Sequence, residues 1–120
     1  MRIFKGSGFD KFARKEGITD DELREMANLL EQGRFEADLG GGVYKMRVAR
    51  PGEGKSGGYR VIMIFKREQR LFFVYGFAKS DRGNISRKEK KYLKEQAKDY
   101  LTLSEEVIDR AVKTGSFIEI

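Results

Sequence analysis

Two apolar runs separated by a short polar turn constrain the fold of this chain more than any other feature. Tyr59–Phe65 is nearly continuous apolar sequence interrupted by Arg60, and Leu71–Ala78 is apolar with four aromatic residues. Strands that are apolar at successive positions are covered on both faces of a sheet, and two such runs joined by a short turn form a β-hairpin. We therefore predict a hairpin in the middle of a sheet, covered on at least part of both faces.

A third strand is indicated by alternation in Val43–Val48. Tyr44, Met46 and Val48 point to one side of such a strand, and Lys45 and Arg47 point to the other. The pattern predicts one buried face and one basic face.

Sequence patterns typical of helices precede and follow these strands along the chain. Capping boxes of the form Ser/Thr-x-x-Glu begin at Thr19 and Ser86, and apolar residues at helical spacing follow each of them. We predict a short first strand, two helices, three strands and two further helices, with a terminal strand or hydrophobic tail at Phe117–Ile120. At 120 residues this is one α+β domain with an antiparallel sheet.

The composition excludes several kinds of chemistry. The chain has no cysteine and no histidine. It therefore has no disulfide, thiolate nucleophile, Ser-His-Asp triad or His- or Cys-ligated metal. We predict no metal and no cofactor, and any proton transfer must use Lys, Arg, Tyr, Asp, Glu or the substrate. The apolar runs are too short for a membrane helix and no signal peptide is apparent, so we expect a cytoplasmic protein.

Positive charge is concentrated in the middle of the sequence. Residues 43–98 carry 16 Lys or Arg against 5 Asp or Glu, a net charge of +11, whereas the whole chain carries +6. Such a block is typical of a surface that binds phosphates, although a solvated helix face explains much of the charge in 87–98.

Basic residues from the three strands and the following loop are the candidates for chemistry. They are Lys45, Arg47, Arg60, Lys79 and Arg82 as catalytic residues, with Arg50, Lys55, Asn84 and Lys91 as RNA contacts. If the strands pair in antiparallel order, the strand and loop residues meet at one end of the sheet. Arg and Lys there would offset the charge that develops on a phosphodiester during cleavage, with the RNA 2′-hydroxyl as internal nucleophile.

Structural explanations compete with these roles. Lys45 and Arg47 also suit the solvent face of an edge strand, and Arg60 suits an ion pair with Glu36 or Asp38. Lys79 and Arg82 suit a plain surface loop. Among the tyrosines, Tyr59 and Tyr75 suit the core, and Tyr92 and Tyr100 suit packing of a helix on the sheet.

The segment between the first two of these strands matches relaxed Walker A spacing from Ala49 to Ser56. That motif requires a following helix, and strand sequence follows here instead. We therefore predict a basic hairpin loop in which Arg50 and Lys55 reach a phosphate backbone.

Three stretches carry a family resemblance by their order and spacing: VYKMRV at 43–48, GGYRVI at 57–62 and FVYGFAKSDRGNIS at 73–86. They resemble the RelE/HigB-like toxins of bacterial type II toxin–antitoxin systems. The resemblance covers Met1–Leu101, and Thr102–Ile120 looks like an extension found in a HigB-type branch of the family. We expect residues 1–120 to form one domain. It implies a compact fold with two N-terminal helices on a twisted antiparallel sheet and C-terminal helices.

The resemblance also implies a function. It implies an endoribonuclease that needs no metal, cuts mRNA in the ribosomal A site and is neutralised by a helix-turn-helix antitoxin. The family's basic catalytic positions fall on Lys45, Arg47 and Arg60. Ser80 and Ser86 stand where the RelE branch has an arginine and a tyrosine, which leaves Lys79, Arg82 and Asn84 as substitutes for the general acid. Because Glu105, Glu106 and Asp109 follow the basic helix closely, we expect the extension to lie beside the site or to contact the antitoxin.

Two other functions fit the same residues. One is a non-enzymatic toxin of this fold that inhibits a protein target such as gyrase, and the other is a plain nucleic-acid-binding module. Retention of Lys45, Arg47 and Arg60 favours the nuclease over the first. The second lacks the aromatic strand signature of an RNA recognition motif.

Overall fold

Within residues 1–50 and 58–120, which the computed structural model describes, a six-stranded sheet carries four helices. In chain order these are β1 Arg2–Gly6, α1 Ser7–Glu16, α2 Asp20–Glu31, β2 Ala37–Gly40, β3 Val43–Arg50, β4 Gly58–Lys66, β5 Arg70–Ala78, α3 Arg87–Tyr100, α4 Glu105–Thr114 and β6 Phe117–Glu119. No helix in these ranges is long and apolar enough to cross a bilayer. The α+β class predicted from the sequence is confirmed.

The strands lie in the order β2-β3-β4-β5-β1-β6, so the predicted hairpin β4–β5 is central. All neighbouring strands are antiparallel except β1 and β5, which are parallel, so the sheet is mostly antiparallel, in agreement with the prediction. β3 pairs directly with β4, so a strand follows the Walker-like spacing, and residues 51–57 lie outside the described part of the chain.

The strand β2 was not predicted from the sequence. Its four residues, Ala37–Gly40, include Asp38 and a glycine and therefore have low strand propensity. The strand is defined by its pairing with β3, extended by a hydrogen bond from Glu36 N to Lys45 O at 2.9 Å. Since the pairing of β2 with β3 reaches Lys45, Lys45 does not lie at the edge of the sheet, whereas Arg47 lies beyond the residues that β2 pairs with.

Each face of the sheet has its own hydrophobic core. On one face α1 and α2 bury Phe9, Leu23 and Leu30 against β-strand residues such as Val61 and Met63. On the other face, hereafter the α3 face, α3 and α4 bury Leu93 and Ile108 against residues that include Phe4, Ile62, Ile64 and Phe72. This confirms the prediction that the central hairpin is covered on both sides.

Among the tyrosines, Tyr59 is buried and Tyr100 packs on Phe72, as expected. Tyr92 does not pack as predicted. It is 64% exposed, because its neighbour Leu93 takes the position on α3 that faces the sheet.

A β-bulge in β5 determines which side chains reach the α3 face. Ile62 pairs with Tyr75 and Met63 pairs with Phe73, so Val74 is an extra residue in β5. Val74 and Tyr75 consequently both pack on the α3 side. On the opposite side, Gly76 leaves room for the ring of Phe12, because a Cβ atom at position 76 would clash with that ring.

The residues after Leu101 are integrated into this fold. β6 pairs with β1, Ile108 is fully buried, and the ring of Phe117 packs against Phe4, Phe72 and Tyr100.

Of the acidic side chains of α4, Glu105 and Asp109 do not lie beside the basic candidates, which was one of the two alternatives for this segment; the other, a contact with the antitoxin, stays a prediction. Glu105 and Asp109 lie 2.6 and 2.9 Å from the guanidinium of Arg2, and Glu105 also pairs with Arg70. Arg2 and Arg70 are partners at the start of β1 and β5, whereas Arg47 and Arg60 lie toward the other end of the hairpin. The acidic cluster therefore packs away from the basic candidates, because Arg2 and Arg70 attract it to the opposite end of the sheet.

Candidate functional site

Strand register brings three of the predicted residues together. Arg47 on β3 lies directly opposite Arg60 on β4, and Lys45 lies opposite Ile62, two positions along the same strands. Because side chains alternate along a strand and Ile62 packs into the core of the α3 face, all three basic residues project toward that face. They form a row of positive charge beside the core.

Glu36 joins two of these charges. Its carboxylate oxygens lie 3.1 Å from Arg47 Nε and 3.2 Å from Arg60 Nε. The side chain of Arg60 is 4% exposed and that of Arg47 is 50% exposed. Like charges directly opposite on neighbouring strands repel, so the Glu36 carboxylate stabilises a pairing that would otherwise be unfavourable. The alternative that Arg60 forms an ion pair with Glu36 is thus confirmed, whereas Asp38 instead accepts a hydrogen bond from Gly40 N.

The loop after β5 places further polar side chains beside this row of basic residues. Lys45 Nζ donates to Asn84 Oδ1 at 3.2 Å, and the same oxygen accepts from Ile85 N at 2.9 Å. Lys79 Nζ donates across the loop to Gly83 O at 3.1 Å. These bonds close the loop and hold the Asn84 amide against the ammonium group of Lys45.

Arg82 is the most heavily bonded side chain of the loop. Its Nε donates to Asn84 O at 3.1 Å and its Nη1 to Tyr75 Oη at 3.0 Å, and both Nη atoms bind the Glu89 carboxylate. Its guanidinium also lies over the ring of Phe77, 5.3 Å from the centroid. The loop is therefore fastened to β5 and to the first turn of α3.

The ion pair has a clear electrostatic consequence for both partners. Arg82, with help from the backbone of Ser86, lowers the pKa of Glu89 to about 2. Conversely, the Glu89 carboxylate raises the pKa of Arg82 above its ordinary value. Arg82 is consequently a permanent cation at neutral pH, suited to electrostatic and positioning work and unsuited to donating a proton.

A comparison with known families matches the chain as a whole. The family model described as the RelE toxin of the RelE/RelB toxin-antitoxin system matches residues 1–120, the whole length of the chain. The chain belongs to the RelE toxin family. Membership makes it the toxin component of a toxin–antitoxin system and implies an antitoxin as its partner.

The remaining predicted residues of this RelE-family toxin lie outside the cluster. Lys91 is exposed on α3, and within the described parts of the chain its side chain forms no ion pair with the loop or the strands. Lys55 and the side chain of Arg50 lie outside what the structure describes. Ser86 caps α3 by accepting from Glu89 N, and Ser80 is an exposed loop residue.

Two partners in the site of this RelE-family toxin were not predicted from the sequence. Glu89 was visible as the third residue of a capping box, a position from which its carboxylate reaches back to Ser86 N at 2.8 Å. Its second role, binding Arg82, follows only from the path of the loop. Tyr75 reaches Arg82 because the bulge turns it to the α3 face, and no simple sequence signal marks that bulge.

Proposed function

We propose that this toxin is an endoribonuclease that cleaves mRNA on the ribosome and thereby inhibits translation. The observation that carries the proposal is the register of Arg47 opposite Arg60, with Lys45 two residues away on the same face. Three cations on two neighbouring strands suit one phosphodiester group. Family membership supports the proposal independently.

In the proposed reaction the 2′-oxygen of the substrate attacks the adjacent phosphorus and the bond from phosphorus to the 5′-oxygen breaks. The products are a 2′,3′-cyclic phosphate and a 5′-hydroxyl end. Arg47 and Arg60 bind the non-bridging oxygens and stabilise their added negative charge. Lys45 orients the 2′-hydroxyl, whose proton passes to water as the 2′-oxygen attacks, and the leaving 5′-oxygen takes up a proton from water.

The loop residues act mainly through Lys45 in this scheme. Asn84 holds the ammonium group of Lys45 by accepting its 3.2 Å hydrogen bond. Arg82 holds Asn84 in turn by donating to the backbone carbonyl oxygen of Asn84 at 3.1 Å. Arg82 adds a positive charge that Glu89 partly offsets. Lys79 closes the loop through Gly83. Arg50, Lys55 and Lys91 are proposed to contact the RNA backbone outside the reacting phosphate.

We further propose the setting in which this chemistry occurs. The substrate is mRNA in the ribosomal A site, so the toxin acts in the cytoplasm. Its partner is a helix-turn-helix antitoxin that neutralises it and represses the operon. The unit that acts is one domain, residues 1–120, with the segment after Leu101 as part of it.

The test is inducible expression in bacteria with mapping of mRNA 5′ ends. Wild type should arrest growth and produce new ends inside translated messages, and Arg60→Ala and Arg47→Ala should lose both effects. Arg67→Ala is the matched control, because Arg67 is an exposed arginine in the turn at the other end of the hairpin. Because Arg60 is buried, Arg60→Lys and a thermal unfolding curve for each variant separate lost chemistry from lost folding.

The other outcomes assign the alternatives. Growth arrest with intact messages and damaged DNA would indicate an inhibitor of gyrase. Salt-sensitive RNA binding without arrest or cleavage would indicate a nucleic-acid-binding module. Full toxicity of a folded Arg60→Ala protein would contradict the proposed chemistry.

A further inference from the structure

A cleft lies immediately beside the candidate site, where the chain leaves α2 and enters β2. It has a volume of about 560 Å³ and is lined by Leu29, Arg34, Phe35, Glu36, Met46 and Arg47. Arg47 and Glu36 belong to both the cleft and the candidate site. The cleft is thus continuous with the position proposed for the reacting phosphate.

An aromatic ring forms part of the cleft wall. Phe35 is 38% exposed although it packs edge-on against Tyr44, with ring centroids 5.0 Å apart at 66°. Tyr44 in turn packs edge-on against Phe65 of the core, at 6.0 Å. The Phe35 ring is therefore fixed by the core while part of it faces solvent, as a stacking platform requires.

Two arginines line the same cleft as this ring. Arg34 is exposed, and in the described ranges its guanidinium forms no hydrogen bond or ion pair. The side chain of Arg47 is half-exposed. The carboxylate of Glu36, which also lines the cleft, is already shared by Arg47 and Arg60. The cleft therefore combines an apolar wall with two positive charges.

We propose that this cleft binds a nucleotide of single-stranded RNA next to the scissile phosphate, with its base on Phe35 and its phosphate at Arg34. The inference rests on the proposed function, because it continues the RNA path from Arg47. An aromatic platform next to arginines is the recurring chemistry of single-strand recognition, in which the ring takes a base and the cations follow the backbone. An acidic segment of a protein partner is the competing occupant. RNA is favoured because Arg47, which is proposed to bind the scissile phosphate, also lines the cleft.

The absence of tryptophan from the chain provides a direct assay. Phe35→Trp introduces a single indole into the cleft, whose fluorescence a stacked base quenches. The probes are a hexanucleotide and the dinucleotide that corresponds to its two central nucleotides. Both carry 2′-O-methyl groups so that the nucleophile is blocked. Saturable quenching by the hexanucleotide is expected. No quenching at any accessible concentration would overturn the subsite.

Affinities measured by anisotropy complete the test. Phe35→Leu should weaken the binding of both RNAs by about tenfold, the usual size of losing one stacked base. Arg34→Ala should weaken hexanucleotide binding by a similar factor and leave the dinucleotide unchanged, because the dinucleotide lacks the phosphate proposed to lie at Arg34. Val107→Ala and Arg110→Ala are matched controls, since both residues are exposed on α4. Thermal unfolding of each variant reports its folding.

The design separates this inference from the function on which it rests. Loss of binding of both RNAs in Arg60→Lys, with no effect of Phe35→Leu or Arg34→Ala, would overturn the subsite and leave the proposed centre intact. Unchanged dinucleotide binding in Arg60→Lys would count against the centre itself. If the Phe35 and Arg34 variants bind RNA normally but bind the cognate antitoxin more weakly, the cleft is a protein interface and the inference is wrong.

Discussion

Arg60 Nε lies 3.2 Å from Oε2 of Glu36, so the most deeply buried arginine of the candidate site is held by a carboxylate from the segment before β2. The other oxygen of that carboxylate lies 3.1 Å from Nε of Arg47. One anion therefore aligns two cations from neighbouring strands. The same arrangement puts a negative charge near the position where a substrate phosphate would bind.

We predict that Glu36→Gln destabilises the fold and strengthens anion binding. Removing a carboxylate that two guanidiniums share should lower the free energy of unfolding by about 2 kcal/mol. The loss of one negative charge beside Arg47 should at the same time raise the affinity for an uncleavable RNA. Urea denaturation and anisotropy measure the two effects.

Glu31→Gln is the control for this substitution, because Glu31 is an exposed glutamate at the end of α2. It should leave stability within about 0.5 kcal/mol of wild type. Unchanged stability of Glu36→Gln would mean that the bridge is not important for holding the two arginines.

We predict that Asn84→Ala impairs cleavage more than folding. The substitution removes the 3.2 Å hydrogen bond to Lys45 Nζ, so the ammonium loses its fixed position. A misplaced catalytic group costs about tenfold or more in rate, whereas an exposed loop substitution changes stability by about 0.5 kcal/mol. Cleavage in a translating extract and thermal unfolding provide the two measurements.

Asn28→Ala on the exposed side of α2 controls for loss of an asparagine. The decisive comparison adds Lys45→Ala and the double variant. If Asn84 acts through Lys45, the double variant should be no slower than Lys45→Ala alone. Additive losses would show that Asn84 acts independently of Lys45.

How far the sequence predicted this site depends on the range of the interactions involved. Alternation in β3 was sufficient to place Lys45 and Arg47 on one face, and the two apolar runs were sufficient to place Arg60 on the neighbouring strand. These are local patterns that strand geometry translates directly into position. The amino-acid pattern alone therefore predicts that Lys45 and Arg47 lie on the same side of the sheet.

The features that complete the site depend on long-range packing. β2 has few strand-forming residues and forms because β3 offers it a partner, so its pattern gave no signal. Its position decides that Glu36 rather than Asp38 binds the arginines. The bulge at Val74 that directs Tyr75 toward Arg82 also arises from pairing between β4 and β5.

We predict that the last strand is required for folding. Phe117 is 6% exposed and its ring packs with Phe4, Phe72 and Tyr100, so Phe117→Ala should cost about 3–5 kcal/mol of unfolding free energy. Val107→Ala, at a side chain that is 40% exposed, should cost much less. Urea denaturation of the two variants measures the difference. Equal stability would show that β6 is a dispensable tail.

We predict that the pair Arg82–Glu89 makes stability depend on pH in a defined window. Folding lowers the pKa of Glu89 from an ordinary 4.5 to about 2, so the carboxylate binds fewer protons in the folded state than in the unfolded one. Its stabilising contribution is complete above the unfolded value and is lost as the pH falls from 4.5 toward about 2. Glu89→Gln removes this contribution at every pH.

The difference in melting temperature between wild type and Glu89→Gln isolates this effect from other acidic groups, such as Glu119, whose pKa Arg2 also lowers. The difference should be constant near neutral pH and should shrink as the pH falls below 4.5 toward 2. Glu95→Gln, at an exposed glutamate of the same helix, should give a curve parallel to wild type. A Glu89→Gln curve that stayed parallel to wild type down to the lowest pH would mean that Glu89 titrates with an ordinary pKa. The loop would then be held by its hydrogen bonds to Tyr75 and Asn84 and not by charge.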